Sequence, residues 1–207
     1  MIKYRLYPTL MQLFSWYHHE LRNADGELYV TERHLLDRIN RVPQPTTPAQ
    51  QRGISFETAL TTGRGEEQFP APIIEAMRKQ LPMRYKTQFF VRTAIKNVEF
   101  YGLIDIVGGD RAIDIKTTSR YEPPKFAHHF QTLYLLGLKS WNIKQLDYLI
   151  TDFKEVYTES YHYDTYDFQP LLDELELFTD FLETHRPQIT DKKIFNNAQN
   201  GLQTSLF

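Results

Sequence analysis

Apolar residues recur at helical spacing through Leu10, Leu13, Phe14, Tyr17 and Leu21 behind Thr9, and through Leu35, Leu36 and Ile39 behind Thr31. Both runs predict amphipathic helices with a threonine able to cap each. Pro43–Gln51 holds three prolines and no helical period, which predicts a connector. The run from Gly53 to Leu60 predicts a short helix stopped by Gly63-Arg64-Gly65, and Pro72–Leu81 predicts another between prolines. From Gln88 onward the period falls to two. Gln88–Lys96, Val98–Val107 and Arg111–Thr117 are rich in β-branched and aromatic residues, and the last two flank a Gly108-Gly109-Asp110 turn. They read as an antiparallel meander. Helical character returns over Phe126–Leu138, strands follow at Gln145–Asp152 and Val156–Tyr163, and Phe168–Glu183 makes a last helix. This order predicts an α/β fold, a mixed central β-sheet flanked by helices. The expected division is one domain over 1–186, helical to about residue 85, and a polar C-terminal tail over 187–207.

Composition narrows the chemistry more than charge does. The 207 residues include no cysteine, so disulfides, thiolate nucleophiles and Cys-held iron–sulfur clusters are excluded. The formal net charge is −2, with 41% hydrophobic and 14% aromatic residues, enough apolar material for a core. Seven acids and no Lys or Arg fall between Asp164 and Glu183, which leaves the rest of the chain mildly basic. That excess permits docking to a polyanion and falls well short of a protein that coats nucleic acid. The N-terminus does not read as a secretory leader, and no run approaches the roughly 20 apolar residues of a membrane span. The expectation is a cytoplasmic protein that does not enter membranes.

The informative stretch runs from Tyr101 to Thr118. Asp105 and Asp114 sit in otherwise apolar strands on either side of the glycine turn. Alternate residues of a strand share a face, so Asp114 and Lys116 project together with Cα atoms about 7 Å apart at a rise of about 3.3 Å per residue. Pairing across the turn would bring Asp105 beside Asp114. An unpaired carboxylate among Ile and Val is costly unless it meets a metal or a cation. Two acids with an adjacent ammonium suit phosphodiester hydrolysis by a divalent metal, with carboxylates holding one or two Mg²⁺ or Mn²⁺ ions. Lys116 would orient the attacking water or stabilise transition-state charge, and the sequence leaves those roles open.

At these residues the chain resembles the PD-(D/E)XK nuclease superfamily, and within it the RecB-like exonuclease branch. Gly102-Leu103-Ile104-Asp105 is similar to the G-x-x-D strand of that branch, and Asp114-Ile115-Lys116-Thr117 to its D-x-K-T strand. Gly53-Ile54-Ser55-Phe56-Glu57 resembles the upstream helix motif, which places Glu57 where many members carry a metal-binding His and others an acid. The stretch from His128 to Tyr134 resembles the following helix, and Tyr7 to Phe14 the short N-terminal helix. The resemblance spans roughly residues 1–165 and implies a restriction-endonuclease-like core. It implies Glu57, Asp105 and Asp114 as metal ligands, the Ile115 carbonyl joining them, Lys116 as the catalytic amine, and Gln131 and Tyr134 orienting DNA. The spacing Gln-x-x-Tyr is one residue shorter than the commonest form. The Cys quartet that holds an iron–sulfur cluster in some relatives is absent, as is any helicase motif.

The implied function is a metal-dependent deoxyribonuclease, an exonuclease by resemblance, serving recombination, repair or phage DNA processing in a bacterial or phage setting. The alternative is a nonenzymatic DNA-binding or sliding-clamp adaptor that retains the fold. The last five residues bear on partners. Gln203, Leu206 and Phe207 resemble the Q-x-x-L-F peptide by which replication proteins engage a sliding clamp, with two apolar anchors and one amide on a polar tail.

Overall fold

The computed structural model describes residues 1–195, so the tail residues Gln203, Leu206 and Phe207 lie outside the described part. The strands are β1 (Tyr4–Leu6), β2 (Lys86–Ile95), β3 (Val98–Gly108), β4 (Arg111–Thr117), β5 (Gln145–Thr151) and β6 (Val156–His162). The helices are α1 (Pro8–His18), α2 (Glu32–Ile39), α3 (Pro48–Thr62), α4 (Ala71–Arg78), α5 (Tyr134–Leu138) and α6 (Gln169–Thr184). The strands form a six-stranded sheet in the order β1-β3-β4-β5-β6, with β2 also pairing β3. β1 runs parallel to β3 and β5 parallel to β4, while β3–β4 and β5–β6 are antiparallel. The sheet is therefore mixed, as the order of elements predicted. No helix among the described residues is long and apolar enough to cross a membrane.

The chain divides into two compact units at places the sequence did not mark. One unit takes residues 1–43, 92–102 and the C-terminal segment from Phe168; the other takes 44–91 and 103–167. β2 and β3 each contribute to both. In the first unit the short β1 pairs Tyr4 with Val98 and Leu6 with Phe100. Thr31 caps α2 by accepting from the His34 N–H, as expected, whereas Thr9 lies inside α1 and Tyr7 takes the cap position without a side-chain bond. The interior of this unit is aromatic, with Phe14 stacked on Phe178 at 4.6 Å between ring centres. The Tyr4 hydroxyl donates to Glu183, which tethers α6 to β1.

The second unit holds all the residues singled out above for metal or phosphate chemistry except those of the tail. Ile106, Ile113 and Leu149 from three adjacent strands pack against Phe56 and Leu60 of α3 and Ile73 and Met77 of α4. Each such buried side chain contributes about 1.5–3 kcal/mol. Strand alternation then turns Asp114 and Lys116 to the opposite face from Ile113 and Ile115. α3 begins earlier than expected, because Thr47 and Gln50 form a reciprocal capping box and Pro48 occupies the first turn. The proline that looked like connector is a helix start. Between β3 and β4, Gly108 is required by space, since a Cβ there would lie 2.5 Å from the Arg84 carbonyl oxygen. The helix expected over Phe126–Leu138 is shorter: residues Phe130–Leu133 form a 3₁₀ turn that leads into α5. Ahead of it the Glu159 carboxylate accepts the Lys125 and Phe126 N–H groups at 2.6 and 2.9 Å.

Candidate active site

The β3–β4 ladder closes at the Ile106–Ile113 pair, and the strands exchange a different bond beyond it. The Ile115 N–H donates to Asp105 Oδ2 at 2.8 Å, so the acid replaces a backbone rung and its carboxylate is fixed at the strand edge. On β4, the Lys116 ammonium lies 2.5 Å from Asp114 Oδ2 and donates to Gln131 Oε1 at 2.6 Å. The Gln131 amide nitrogen in turn donates to Asp114 Oδ1. Asp114, Lys116 and Gln131 thus form a closed ring of contacts. Glu57 reaches the group from α3. Its Oε1 accepts from Gln88 Nε2 at 2.6 Å, and the same nitrogen lies 3.3 Å from Asp105 Oδ1. α3 can approach β4 closely because Gly53, one turn before Glu57, has no side chain: a Cβ there would lie 3.2 Å from Thr117 Oγ1.

The electrostatics are those of a site short of positive charge. Burial raises the Asp105 carboxyl to about 8, and the charges of Asp114 and Glu57 push the same way against the Ile115 hydrogen bond and Lys116. Burial also raises Asp114, which is only 2% exposed, and Lys116 opposes that rise. Glu57 is raised by burial, with the Gln88 bond opposing and the Asp114 charge adding. One ammonium faces three acids. Moreover, Asp114 Oδ2 is buried with the Lys116 ammonium, 2.5 Å away, as its neighbour and no other partner among the described residues.

Those features fit a hard divalent cation: oxygen donors, excess negative charge and a buried carboxylate oxygen with an unfilled lone pair. As the side chains stand, no group of three or more His, Asp or Glu among the described residues is spaced to grip an ion. The Gln88 amide spans Glu57 and Asp105, and Lys116 and Gln131 hold Asp114.

Of the residues named from the sequence, Asp114, Lys116 and Gln131 share one set of contacts, Glu57 and Asp105 share another through Gln88, and the Ile115 N–H joins the second. Tyr134 is 3% exposed within α5. The short Gln-x-x-Tyr spacing keeps Gln131 at the acids and turns Tyr134 into core. Burial of His129 beside Phe126 and Tyr148, with Lys116 adding, lowers its imidazole to about 3. Its role is local, accepting the Gln131 N–H. Lys125 donates to Thr118 Oγ1 and the Arg120 carbonyl, folding the loop after β4 on itself.

Two residues escaped the sequence reading. Gln88 gave no signal beyond its place at a strand start. Glu159 accepts from the Tyr121 and Tyr161 hydroxyls as well as from the two backbone N–H groups, and so anchors the segment that joins Lys116 to Gln131. An acid in the middle of an otherwise uncharged strand was its available cue. A cavity of about 580 Å³ in the same unit, lined by Leu60, Gly63, Arg78, Pro82 and Tyr85, includes none of the acids.

No family model and no curated protein matches this chain. Among solved structures it is similar to one named “putative exonuclease” from Eubacterium rectale, at 11% identity and a TM-score of 0.48 over 91% of this chain and 81% of that one. It is also similar to the structure named SSO0001, at 14% identity and a TM-score of 0.46 over 87% and 78% of the two chains. The chemistry therefore has to be read from the side chains themselves.

Proposed function

We propose that the protein is a divalent-metal-dependent nuclease that hydrolyses DNA phosphodiester bonds, with exonuclease action favoured by the motif resemblance. The observation that carries this reading is the convergence of Glu57, Asp105 and Asp114 beside an ammonium held between Asp114 and Gln131. A scaffold gains nothing from setting one buried and two half-buried acids beside one cation, and the arrangement costs folding energy.

Glu57, Asp105 and Asp114 would hold the Mg²⁺ or Mn²⁺, with the Ile115 carbonyl as a further oxygen. The ion supplies Lewis-acid polarisation of the phosphate and a more acidic water. The chain's own contribution is placement. Asp105 is aimed by the Ile115 N–H, and Asp114 by Gln131. Lys116, held by two partners, presents a fixed positive charge where negative charge grows on the phosphoryl oxygens. Gln131 acts on the ammonium and the acid rather than on DNA, so it is a positioning residue.

The reading is tested by incubating labelled single- and double-stranded DNA and RNA with Mg²⁺, Mn²⁺ or EDTA. Wild type should cleave DNA with either metal and stop in EDTA, and Asp114→Ala and Lys116→Ala should both be inactive. Equal cleavage by all three proteins would identify a contaminant and remove the enzyme reading; preference for RNA would replace the substrate.

A further inference from the structure

Gln88 stands near the start of β2, exposed, with its backbone at φ +50°. That left-handed conformation is uncommon for a residue with a side chain, and Gly or Asn would hold it at less cost. What the bend achieves is the placement of one amide nitrogen between two acids, 2.6 Å from Glu57 Oε1 and 3.3 Å from Asp105 Oδ1. The nitrogen carries two hydrogens, so both bonds form at once. The oxygens it satisfies are among those a divalent cation would need.

We propose that Gln88 is a latch that stands in for the divalent cation. In the metal-free protein its amide bridges Glu57 and Asp105; entry of the ion displaces it. This rests on the metal-site reading above. Gln88 is a positioning residue with opposite effects on the two states. It stabilises the empty site and, because its bonds must break first, weakens ion binding by the same free energy. The strained backbone keeps the amide poised at the site and ready to leave it.

The test is calorimetric titration of the metal-free full chain with Mn²⁺ alone, together with melting of the metal-free and Mn²⁺-saturated forms, for wild type, Gln88→Ala and Gln88→Gly. The glycine variant removes the amide and relaxes the left-handed backbone, so it reports even if the alanine variant folds poorly. Both variants should bind Mn²⁺ roughly tenfold to a hundredfold more tightly, the range one hydrogen bond to a charged group corresponds to. Gln88→Ala should melt lower than wild type without metal, with the gap narrowing at saturation. Weaker Mn²⁺ binding would overturn the latch by making the Gln88 amide oxygen a ligand. An equal melting loss with and without Mn²⁺ at unchanged affinity would overturn it by showing that the amide never leaves. Absence of Mn²⁺ binding to wild type would remove the metal site itself, an outcome distinct from the other two.

Discussion

Glu159 and the group of Glu57, Asp105 and Asp114 both bury carboxylates in the same unit, and they are built in opposite ways. Glu159, 8% exposed, is ringed by donors: two tyrosine hydroxyls and two backbone N–H groups. Burial alone would raise its carboxyl, yet the bonds from Tyr161, Lys125, Phe126 and Tyr121 outweigh it and hold the group below the ordinary carboxylate range. Asp114 is more deeply buried, and its surroundings raise it instead. A carboxylate used to hold a loop is saturated with hydrogen bonds and stabilises the fold. A carboxylate group left short of donors beside its own kind costs stability, and such a cost persists where function requires it.

The largest expected contrast is in DNA cleavage. Asp114→Asn should lose about 10³-fold or more in rate with Mn²⁺, because a neutral amide cannot replace the acid at the ion. Glu159→Gln should lose less than about tenfold, because it only loosens the segment between Lys116 and Gln131. Comparable losses in the two variants would dissolve the distinction between the sites.

Stability should separate them in sign. Glu159→Gln turns an amide nitrogen toward donors and should cost about 2 kcal/mol, read as a fall in Tm of roughly 4–8 °C. Because the folded carboxyl is held low, the wild-type advantage is present above the unfolded carboxylate range and disappears as pH falls through the folded value. The smaller effect is at Asp105. Its folded carboxyl is raised to about 8, so the metal-free protein loses stability as pH climbs from the unfolded range toward that value. Asp105→Asn keeps an acceptor for the Ile115 N–H and removes the penalty. Its Tm without metal should exceed wild type near pH 8, with little difference near pH 4. A lower Tm for Asp105→Asn at both pH values would show that the acids support the fold after all.

What the sequence made legible follows from how local each cause is. The strands around Gly108-Gly109 were readable because alternation and a turn need only neighbours, and that register brought Asp105 toward the Asp114–Lys116 face. Where a cause was distant in sequence, the reading failed. The segment before Phe130 is held by Glu159, more than thirty residues away, which accepts the Lys125 and Phe126 N–H groups. The three-residue β1 exists only because Val98–Phe100 offers it an edge. Pro48 looked like a breaker until its capping box made it a first-turn residue. In the site, Asp114 and Lys116 declared themselves through spacing and an apolar setting. Gln88 could not, since its role depends on a left-handed bend and on acids 31 residues before and 17 after it.

The central claim is that Glu57, Asp105 and Asp114 share a divalent ion. Its most direct test is the anomalous difference density of a crystal soaked in Mn²⁺. The account predicts a peak coordinated by the Asp105 and Asp114 carboxylates and approached by Glu57, with the Gln88 amide swung away. A saturating soak that leaves Gln88 bridging Glu57 and Asp105, with no peak between the acids, would contradict it.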